Sequence, residues 1–543
     1  MPKKTIVFVT PEIAIAQELH TYSGGLGVVA GDMARSAYKL GIPMVVVTLL
    51  PRFGYYDQGR NENGMTVEYI PRYYEQILED TGLMMPINIC SKLNWVKVLK
   101  LPPERYGTVP IYFLDADIQE NDYLARKNTQ YLYGGIKTEA TQERSIAQSI
   151  ILGKGAVKAM RRLKIMVDKY HFNESHTAFG PLEILSGLLK EKGNLDEAVL
   201  ATKAKAVFTT HTPVDNGNPK YDLDLVASIM GLTGKTSLNK DILRSLGGNV
   251  FDMAAVCLKL SGISNAVSKK HLQVAQRMWG YLGTPAPLVG VTNGVSQDFW
   301  QYPEFRAANT PEQMAAAKMK YKTKFIEKIN KDENANFNPN ISLGVWARRL
   351  AEYKRPKLLF DDLEWLSHLL VTNQLQLIIA GKPHHDDDAR IEDWNYIFHL
   401  SKNKEKFPNL VVLPGFELEL NKRLKGAADL WINTPRSPLE ACGTSGMSAA
   451  MNGAINISTP DGWMPETNPR NCFLFGSATP MPNVGTQDRY DAAELRTAVG
   501  NALTMYYHDQ DEWSEIQLLA KLEVEKKYTS DRMIKEYALL YDL

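Results

Sequence analysis

Cysteine is scarce, with four in 543 residues (Cys90, Cys257, Cys442 and Cys472) and no CxxC pair among them. That spacing excludes a disulfide framework and a cysteine zinc site. Long apolar runs are missing too, since no stretch approaches the roughly 18 uninterrupted apolar residues of a membrane span. The opening MPKKTIVFVTPEI starts basic, but its apolar run is only about five residues before Pro11 and Glu12, too short for a signal peptide. It reads as a first β-strand, and a cytoplasmic chain with no membrane partner is expected. Charge of one sign is also lacking: 62 basic against 61 acidic side chains leave a net charge of +1. A nucleic-acid partner calls for a net or clustered positive field, so none is expected. There is no internal repeat and no low-complexity tract.

What is present is an ordinary folded composition, 44% hydrophobic and 23% charged, in a chain too long for one core. Strand-like and helix-like segments alternate. TIVFVT (residues 5–10) is an apolar β run, followed by the loop SGGLG (residues 23–27) and the helical pattern VVAGDMARSAYKLG, closing on Gly41. IPMVVVTLL (residues 42–50) is then a buried strand. Strand, loop, helix, strand is a βαβ unit, and its short apolar strands suit a parallel sheet covered on both faces. A long helix is predicted over residues 143–163, then a strand at KAVFTTH. Periodicity lapses in GVSQDFWQYPEFRAAN, where a domain boundary is placed. A second series runs through NISLGVWARRL, LQLIIAGK, LVVLPGF, DLWINTP and AINIS. The pattern predicts an α/β enzyme of two doubly wound Rossmann-like domains with an interdomain cleft, ligands lying at the strand C-termini.

Several segments carry candidate chemistry. The loop holding Gly24, Gly25 and Gly27 reads either as a phosphate cradle at a helix start or as a simple turn. WARRLAEYKR sets four cations beside a strand of the second series. Arginine offers a planar fork and lysine a point charge for phosphate oxygens, whereas the plainer reading is a solvated basic helix start. EACGTSGMS (residues 440–448) pairs a carboxylate, Glu440, with small residues, including Thr444, Ser445 and Gly446, that allow close backbone approach to an anion. Its plainer reading is a tight strand-to-helix connection. His211 ends a strand, where ligand contacts fall, although a lone histidine is often structural. HFNESHTAF clusters Asn173, Glu174 and His176 in a spacing that fits no metal motif, so no metal is expected.

These stretches resemble, together and in order, the short form of the α-glucan (glycogen/maltodextrin) phosphorylase family. The matching segments are YSGGLGVVAGD, YLYGG, QERSIAQSIILGKGAVKAM, YHFNESHTAF, FTTHTPV, NAVSKKH, TNGVSQDFW, ARRLAEYKR, IIAGKPHHDDD and NTPRSPLEACGTSGM, continued by NGAINISTPDGW. The resemblance implies the GT-B glycosyltransferase fold. Residues 1–300 would form an acceptor-side domain and residues 301–505 a donor-binding domain, with the helices of residues 506–543 crossing back to the first. It also implies site roles. Arg349 and Lys354 would bind the reacting phosphate, His211 would lie beside the glucosyl unit, and Glu440 would bind sugar hydroxyls. The loop through Thr444, Ser445 and Gly446 would contact phosphate. Gly24, Gly25 and Gly27 would line the cleft from the first domain, and Asn173, Glu174 and His176 would stand near the acceptor side.

One departure bears on the reaction. The family's loop ends in a lysine that carries pyridoxal phosphate as a Schiff base, and here that residue is Ser448. Serine has no amine to form an imine, so no covalently held cofactor is expected. Ala351 is a lesser departure, where long phosphorylases commonly have histidine. Cys442 gives the Glu-x-Cys-Gly turn of glycogen-synthase-like enzymes. An anion cradle without its covalent tenant suits a nucleotide diphosphate sugar, UDP- or ADP-glucose, as donor to a glucan or sugar acceptor, with retention. The alternatives are a phosphorylase releasing glucose 1-phosphate and a retired glucan-binding or regulatory homologue.

Overall fold

The computed structural model describes residues 5–134, 141–214, 217–232, 237–283 and 286–543. Gly135, the last residue of the YLYGG stretch, lies outside them. The chain divides into two compact units. The first comprises Met1–Tyr55, Tyr69–Thr292 and Asp531–Leu543, and the second Tyr56–Glu68 and Asn293–Ser530.

The first unit is built on nine strands: β1 (Thr5–Val9), β2 (Met44–Leu49), β3 (Glu79–Ile89), β4 (Lys92–Leu101), β5 (Ile111–Asp115), β6 (Val167–Asn173), β7 (Ala206–Thr209), β8 (Ile263–Ala266) and β9 (Leu288–Gly290). Their order is β9-β8-β7-β6-β1-β2-β5-β4-β3. The strands from β9 to β5 run parallel, while β4 and β3 continue the sheet antiparallel. β2 and β7 are buried along their whole length, as a parallel sheet covered on both faces requires. Sequence order reverses between β1 and β6, so the crevice beyond those two C-termini is the topological switch point.

Helix α1 (Gly25–Lys39) follows β1 and ends at Leu40, with Gly41 at φ +67° taking the turn into β2. Gly27 and Gly31, one turn apart, bring this helix against the chain that leaves β1. A Cβ on Gly27 would meet the Tyr22 Cβ at 2.6 Å, and one on Gly31 would meet the Ala14 carbonyl oxygen at 2.0 Å. Helix α2 (Thr141–Arg162) packs against α3 (Phe179–Lys192) on the sheet.

The second unit carries six parallel strands: β10 (Leu343–Ala347), β11 (Gln376–Ala380), β12 (Leu410–Leu413), β13 (Leu430–Asn433), β14 (Ile455–Ser458) and β15 (Cys472–Leu474). Their order, β12-β11-β10-β13-β14-β15, is the 3-2-1-4-5-6 arrangement of a nucleotide-binding sheet, with its switch point between β10 and β13. Around it lie α4 (Pro311–Glu333), the short α5 (Ser445–Ala450), α6 (Val484–His508) and α7 (Gln510–Lys527). The antiparallel hairpin Asp57–Asn61/Gly64–Glu68 joins this unit although its sequence lies inside the first. The Gln58 amide donates to the Gly381 carbonyl at 2.9 Å and accepts from the Gly415 N–H at 3.0 Å, immediately beyond β11 and β12.

The division falls after Thr292, and α7 stays with the second unit. Only Asp531–Leu543, within helix α8 (Ser530–Leu540) and its tail, belongs to the first. There Met533, Ile534, Tyr537 and Tyr541 are core residues. His171, fully buried, fixes them to the sheet: its Nε2 meets Thr209 Oγ1 at 2.6 Å and its Nδ1 meets the Tyr541 hydroxyl at 2.6 Å. Thr209 donates its own proton to Asn265 Oδ1 at 2.5 Å, so Nε2–H donates to Thr209 and Nδ1 accepts from Tyr541. Burial holds this imidazole neutral, its pKa pushed down to about 3. His171→Ala should lower the urea-unfolding stability of the first unit by about 2–4 kcal/mol and expose residues 531–543 to limited proteolysis. An unchanged midpoint would show that the network carries no stability.

Candidate functional site

At the switch point of the first unit, the chain leaving β1 runs through Thr10 and the buried Glu12. The Thr10 hydroxyl donates to the Glu12 carbonyl at 3.0 Å, the Asn173 amide donates to Thr10 Oγ1 at 3.1 Å, and His211 Nε2 stands 2.7 Å from Asn173 Oδ1. The direction of this relay assigns the proton of His211 to Nε2 and leaves Nδ1 as an acceptor. Burial pushes the His211 pKa down to about 4, with Glu174 pulling the other way. The ring is therefore neutral at pH 7.

Glu174 follows β6 at φ +74°. Its carboxylate accepts from the Ser175 N–H at 2.8 Å, the Thr212 hydroxyl at 2.6 Å and the His211 N–H at 3.1 Å. Burial alone would raise its pKa, but the charge of His211 when that ring is protonated, and the Thr212 and Ser175 donors at any pH, bring it below the usual carboxylate value. The His176 ring lies 5.3 Å from that of Tyr133, and its buried Nδ1 has no hydrogen-bond partner among the described residues. Asn173, Glu174, His176 and His211 thus come together at one sheet end.

The glycine loop is held by a residue that motif reading passed over. Glu12 accepts the N–H groups of Ser23, in a short bond, and of Gly24, at 3.1 Å, and also the Tyr133 hydroxyl at 2.8 Å. Two amides of the loop are therefore already satisfied by a carboxylate. Beyond them, the first helical bond of α1 is from the Val28 N–H to the Gly24 carbonyl, so the N–H groups of its first turn are not taken within the helix. A Cβ on Gly25 would meet nothing within 4 Å, which leaves space above that turn.

At the switch point of the second unit, β10 runs directly into Arg348 and Arg349, and a short turn (Glu352–Lys354) brings back Lys354. The loop after β13 supplies Glu440. Arg348 Nη2 lies 3.1 Å and Lys354 Nζ 2.9 Å from the same Glu440 oxygen, all three side chains nearly buried. The Glu440 N–H donates to Asp461 at 2.8 Å. Burial brings the Lys354 pKa down to about 8, Arg348 pushing the same way and Glu440 opposing. Burial would raise the Glu440 carboxyl, but Lys354 and Arg348 overcome it and hold it ionised.

Arg348 keeps two further donors, Nε and Nη1, buried with no hydrogen-bond partner among the described residues. Arg349 is exposed, and its charge is felt by Tyr353, Lys354, Glu440 and His384. Gly443 passes close to the pair, a Cβ there meeting Arg348 Nη2 at 3.1 Å. Thr444 is buried at the start of α5, Ser445 Oγ lies 3.4 Å from the Trp431 indole N–H, and the Gly446 carbonyl accepts from the Asn456 amide at 3.1 Å. Ser448 is buried within α5, its hydroxyl donating to the carbonyls of Thr444 at 3.3 Å and Ser445 at 3.2 Å.

The sequence counted Arg348 only as one of four cations, and the family likeness singled out Arg349, Lys354 and Glu440, whereas it is Arg348 that faces inward. The signal was its place as the first residue beyond a fully buried strand. His384, His385 and Asp386 hold ligand atoms within 4.8 Å of one another. These are successive residues of one loop, and His384 Nδ1 already accepts the Asp386 N–H at 3.2 Å. Among the described residues no helix is long and apolar enough to cross a membrane.

Comparison with known proteins accords with both sheets. Residues 5–283 match the starch synthase catalytic domain family, and residues 303–503 match the carbohydrate phosphorylase family. An uncharacterized protein of Methanocaldococcus jannaschii is 37% identical, over 98% of this chain and 99% of its own length. A maltodextrin phosphorylase of Thermococcus litoralis is 29% identical, over 98% of this chain and 70% of its own. A glycogen synthase of Desulfitobacterium hafniense is 24% identical, over 91% of each. The chain belongs to the starch synthase catalytic domain family, carries a carbohydrate phosphorylase region after it, and is a hexosyltransferase-type enzyme of the GT-B glycosyltransferase fold.

Proposed function

We propose that this enzyme transfers an α-glucosyl unit, with retention, from a nucleotide diphosphate sugar to a glucan or sugar acceptor. The observation that carries the reading is the buried Arg348 guanidinium, with two donors unpaired beside Lys354 and Glu440. Buried donors without partners mark a place where an anion belongs. The departing diphosphate takes these donors, and Lys354 and Arg349 add charge as the bond from the sugar C1 to the phosphate oxygen breaks. The acceptor hydroxyl forms its new bond to C1 on the same face, and its proton passes to the leaving phosphate oxygen. Fixed cations act on charge that develops only in that step. In the first unit, neutral His211 and Asn173 offer an acceptor and a donor to sugar hydroxyls, while Glu174 holds the His211 backbone. Thr444, Ser445 and Gly446 border the anion, and Gly24, Gly25 and Gly27 give backbone close approach.

No lysine stands at position 448 to hold pyridoxal phosphate. The Ser448 hydroxyl is spent on two helix carbonyls and forms no imine, so no step is assigned to that cofactor. A second reading, phosphorolysis releasing glucose 1-phosphate, draws support from the hairpin of residues 57–68. Gln58 takes polar groups just beyond β11 and β12, ground over which a nucleoside commonly lies on such a sheet. Inorganic phosphate needs only the Arg348–Lys354 end.

A donor screen separates the two. UDP or ADP should raise the thermal midpoint and their glucose conjugates should label maltodextrin, while Arg349→Ala should weaken both effects. Release of glucose 1-phosphate from maltodextrin and phosphate, with no response to any nucleotide, would replace the first reading with the second.

A further inference from the structure

Lys354 reaches the site of the second unit on a turn that Arg355 closes. Arg355 stands at φ +49°, a left-handed conformation that residues with a side chain rarely adopt. Its guanidinium is buried and tied at every nitrogen. Nε donates to the Thr434 carbonyl at 2.8 Å, Nη2 to the Pro435 carbonyl at 2.9 Å, and Nη1 to Asp491 at 2.7 Å and Asp488 at 3.0 Å. The Thr434 hydroxyl donates to the Lys354 carbonyl at 2.7 Å. Asp488 and Asp491 lie one turn apart near the start of α6, and Asp488 holds the second loop of the site too. Arg436, on the stretch from β13 to Glu440, gives it a paired bond, Nη2 at 2.8 Å and Nε at 3.2 Å. The Arg436 N–H donates to the Tyr353 carbonyl at 2.6 Å, closing the two loops on each other. Asp491, wholly buried, also accepts the Ser477 N–H at 2.8 Å, and a Cβ on Gly476 would meet its Oδ1 at 2.5 Å. One end of a helix thus gathers the loop of Lys354, the loop of Glu440 and the chain leaving β15.

We propose that Arg355 and Asp491 are positioning residues for the transfer: together they fix the Lys354 turn against the Glu440 loop, so that the ammonium stands where the leaving phosphate forms. The proposal rests on the reading of Lys354 as a cation of the proposed glucosyl transfer. Lys354 and Glu440 arrive on separate loops, and their attraction alone is a weak guide, because taking both charges out of water opposes it. A planar fork that meets carboxylates and carbonyls sets angle as well as distance. Every nitrogen of Arg355 is bonded within the protein, so it acts through Lys354 rather than on the substrate. The same helix carries an ordinary surface pair, Arg496 with Asp361 at 3.2 Å, both partly exposed, and that pair serves as the reference.

The test compares Arg355→Lys, Asp491→Asn and Arg496→Ala in the full chain. Arg355→Lys keeps the charge and loses the fork, and Asp491→Asn keeps the shape and loses the charge. Each of these two should lower kcat by about ten- to a hundredfold, the scale for a group misplaced by about 1 Å, with the donor KM little changed. Arg496→Ala should keep the wild-type rate. A second readout follows Lys354 itself, whose pKa burial brings down to about 8, Arg348 and Arg349 pushing the same way and Glu440 opposing. Loosening the turn lets water reach this ammonium, so the alkaline limb should move up toward the value of about 10.4 for a free lysine. The same limb is read without turnover from the pH dependence of the thermal shift given by inorganic phosphate. A lower rate with both limbs unmoved means lost stability alone and overturns the proposal, as does an equal loss in Arg496→Ala. The two site variants are read independently, so a folding failure in one leaves the other decisive. If Lys354→Ala leaves turnover intact while the phosphate limb still moves in the site variants, the proposed role in transfer fails and the brace stands. If Lys354→Ala abolishes turnover while Arg355→Lys and Asp491→Asn change neither kcat nor limb, the brace fails and the reaction stands.

Discussion

Lys354→Ala is expected to lower kcat/KM by at least about a hundredfold, the scale for losing one fixed donor to developing charge. The fold should survive, because the change removes a buried cation whose ammonium form burial already disfavours. The same lysine sets a pH dependence with two opposite signs. Its pKa is brought down to about 8 by burial, against about 10.4 for an unfolded lysine. As pH rises through about 8 the folded protein loses this charge, so activity falls. Over the window from there to about 10.4 the unfolded chain binds the proton that the folded chain has lost, so this group's contribution makes the folded state more stable as pH rises. Alkaline loss of activity without loss of fold is the expected signature. Lys354→Arg checks the assignment, because a guanidinium keeps its charge: its alkaline limb should disappear even if its rate is lower. An alkaline limb unmoved in Lys354→Arg would mean another group titrates there.

Glu440→Ala should have the largest effect on stability. Arg348 and Lys354 share this carboxylate, and removing it leaves two nearly buried cations without their counter-charge, a loss of about 3–5 kcal/mol for a broken buried pair. Chemical denaturation of the second unit measures it. Added phosphate should restore more stability to the variant than to the wild type, since an anion can stand in for the missing carboxylate. Wild-type stability in Glu440→Ala would mean that both cations are solvated, and the anion cradle with them.

The strands were legible in the sequence because parallel sheets leave a plain mark: TIVFVT, IPMVVVTLL and LQLIIAGK are dominated by short apolar runs. Helices α1 and α2 were legible from their period. Arg349, Lys354 and Glu440 stood out through charge and family likeness. The inward turn of Arg348 did not, because two adjacent arginines look alike until the backbone sends one inside. Its partner lies 92 residues away, beyond any local pattern. Glu12 was hidden for the same reason, its bonds reaching 11 and 121 residues along the chain. The hairpin of residues 57–68 carries no compositional sign of the unit it joins. That choice is made by Gln58 and by Arg60, whose bonds span more than three hundred residues.

Neither unit is a continuous stretch of chain, and this has a consequence for biosynthesis. Proteins made on the ribosome commonly complete their N-terminal domain first. Here the core of the first unit includes Met533, Ile534, Tyr537 and Tyr541, so that core stays unfilled until residues 531–543 have been synthesised. The hairpin of residues 56–68 meanwhile waits for a sheet whose first strand begins at Leu343. A nascent chain halted just before residue 531 would hold all of the second unit beside a first unit whose sheet still lacks the cover of its last helix, and is the form a cell's chaperones would meet.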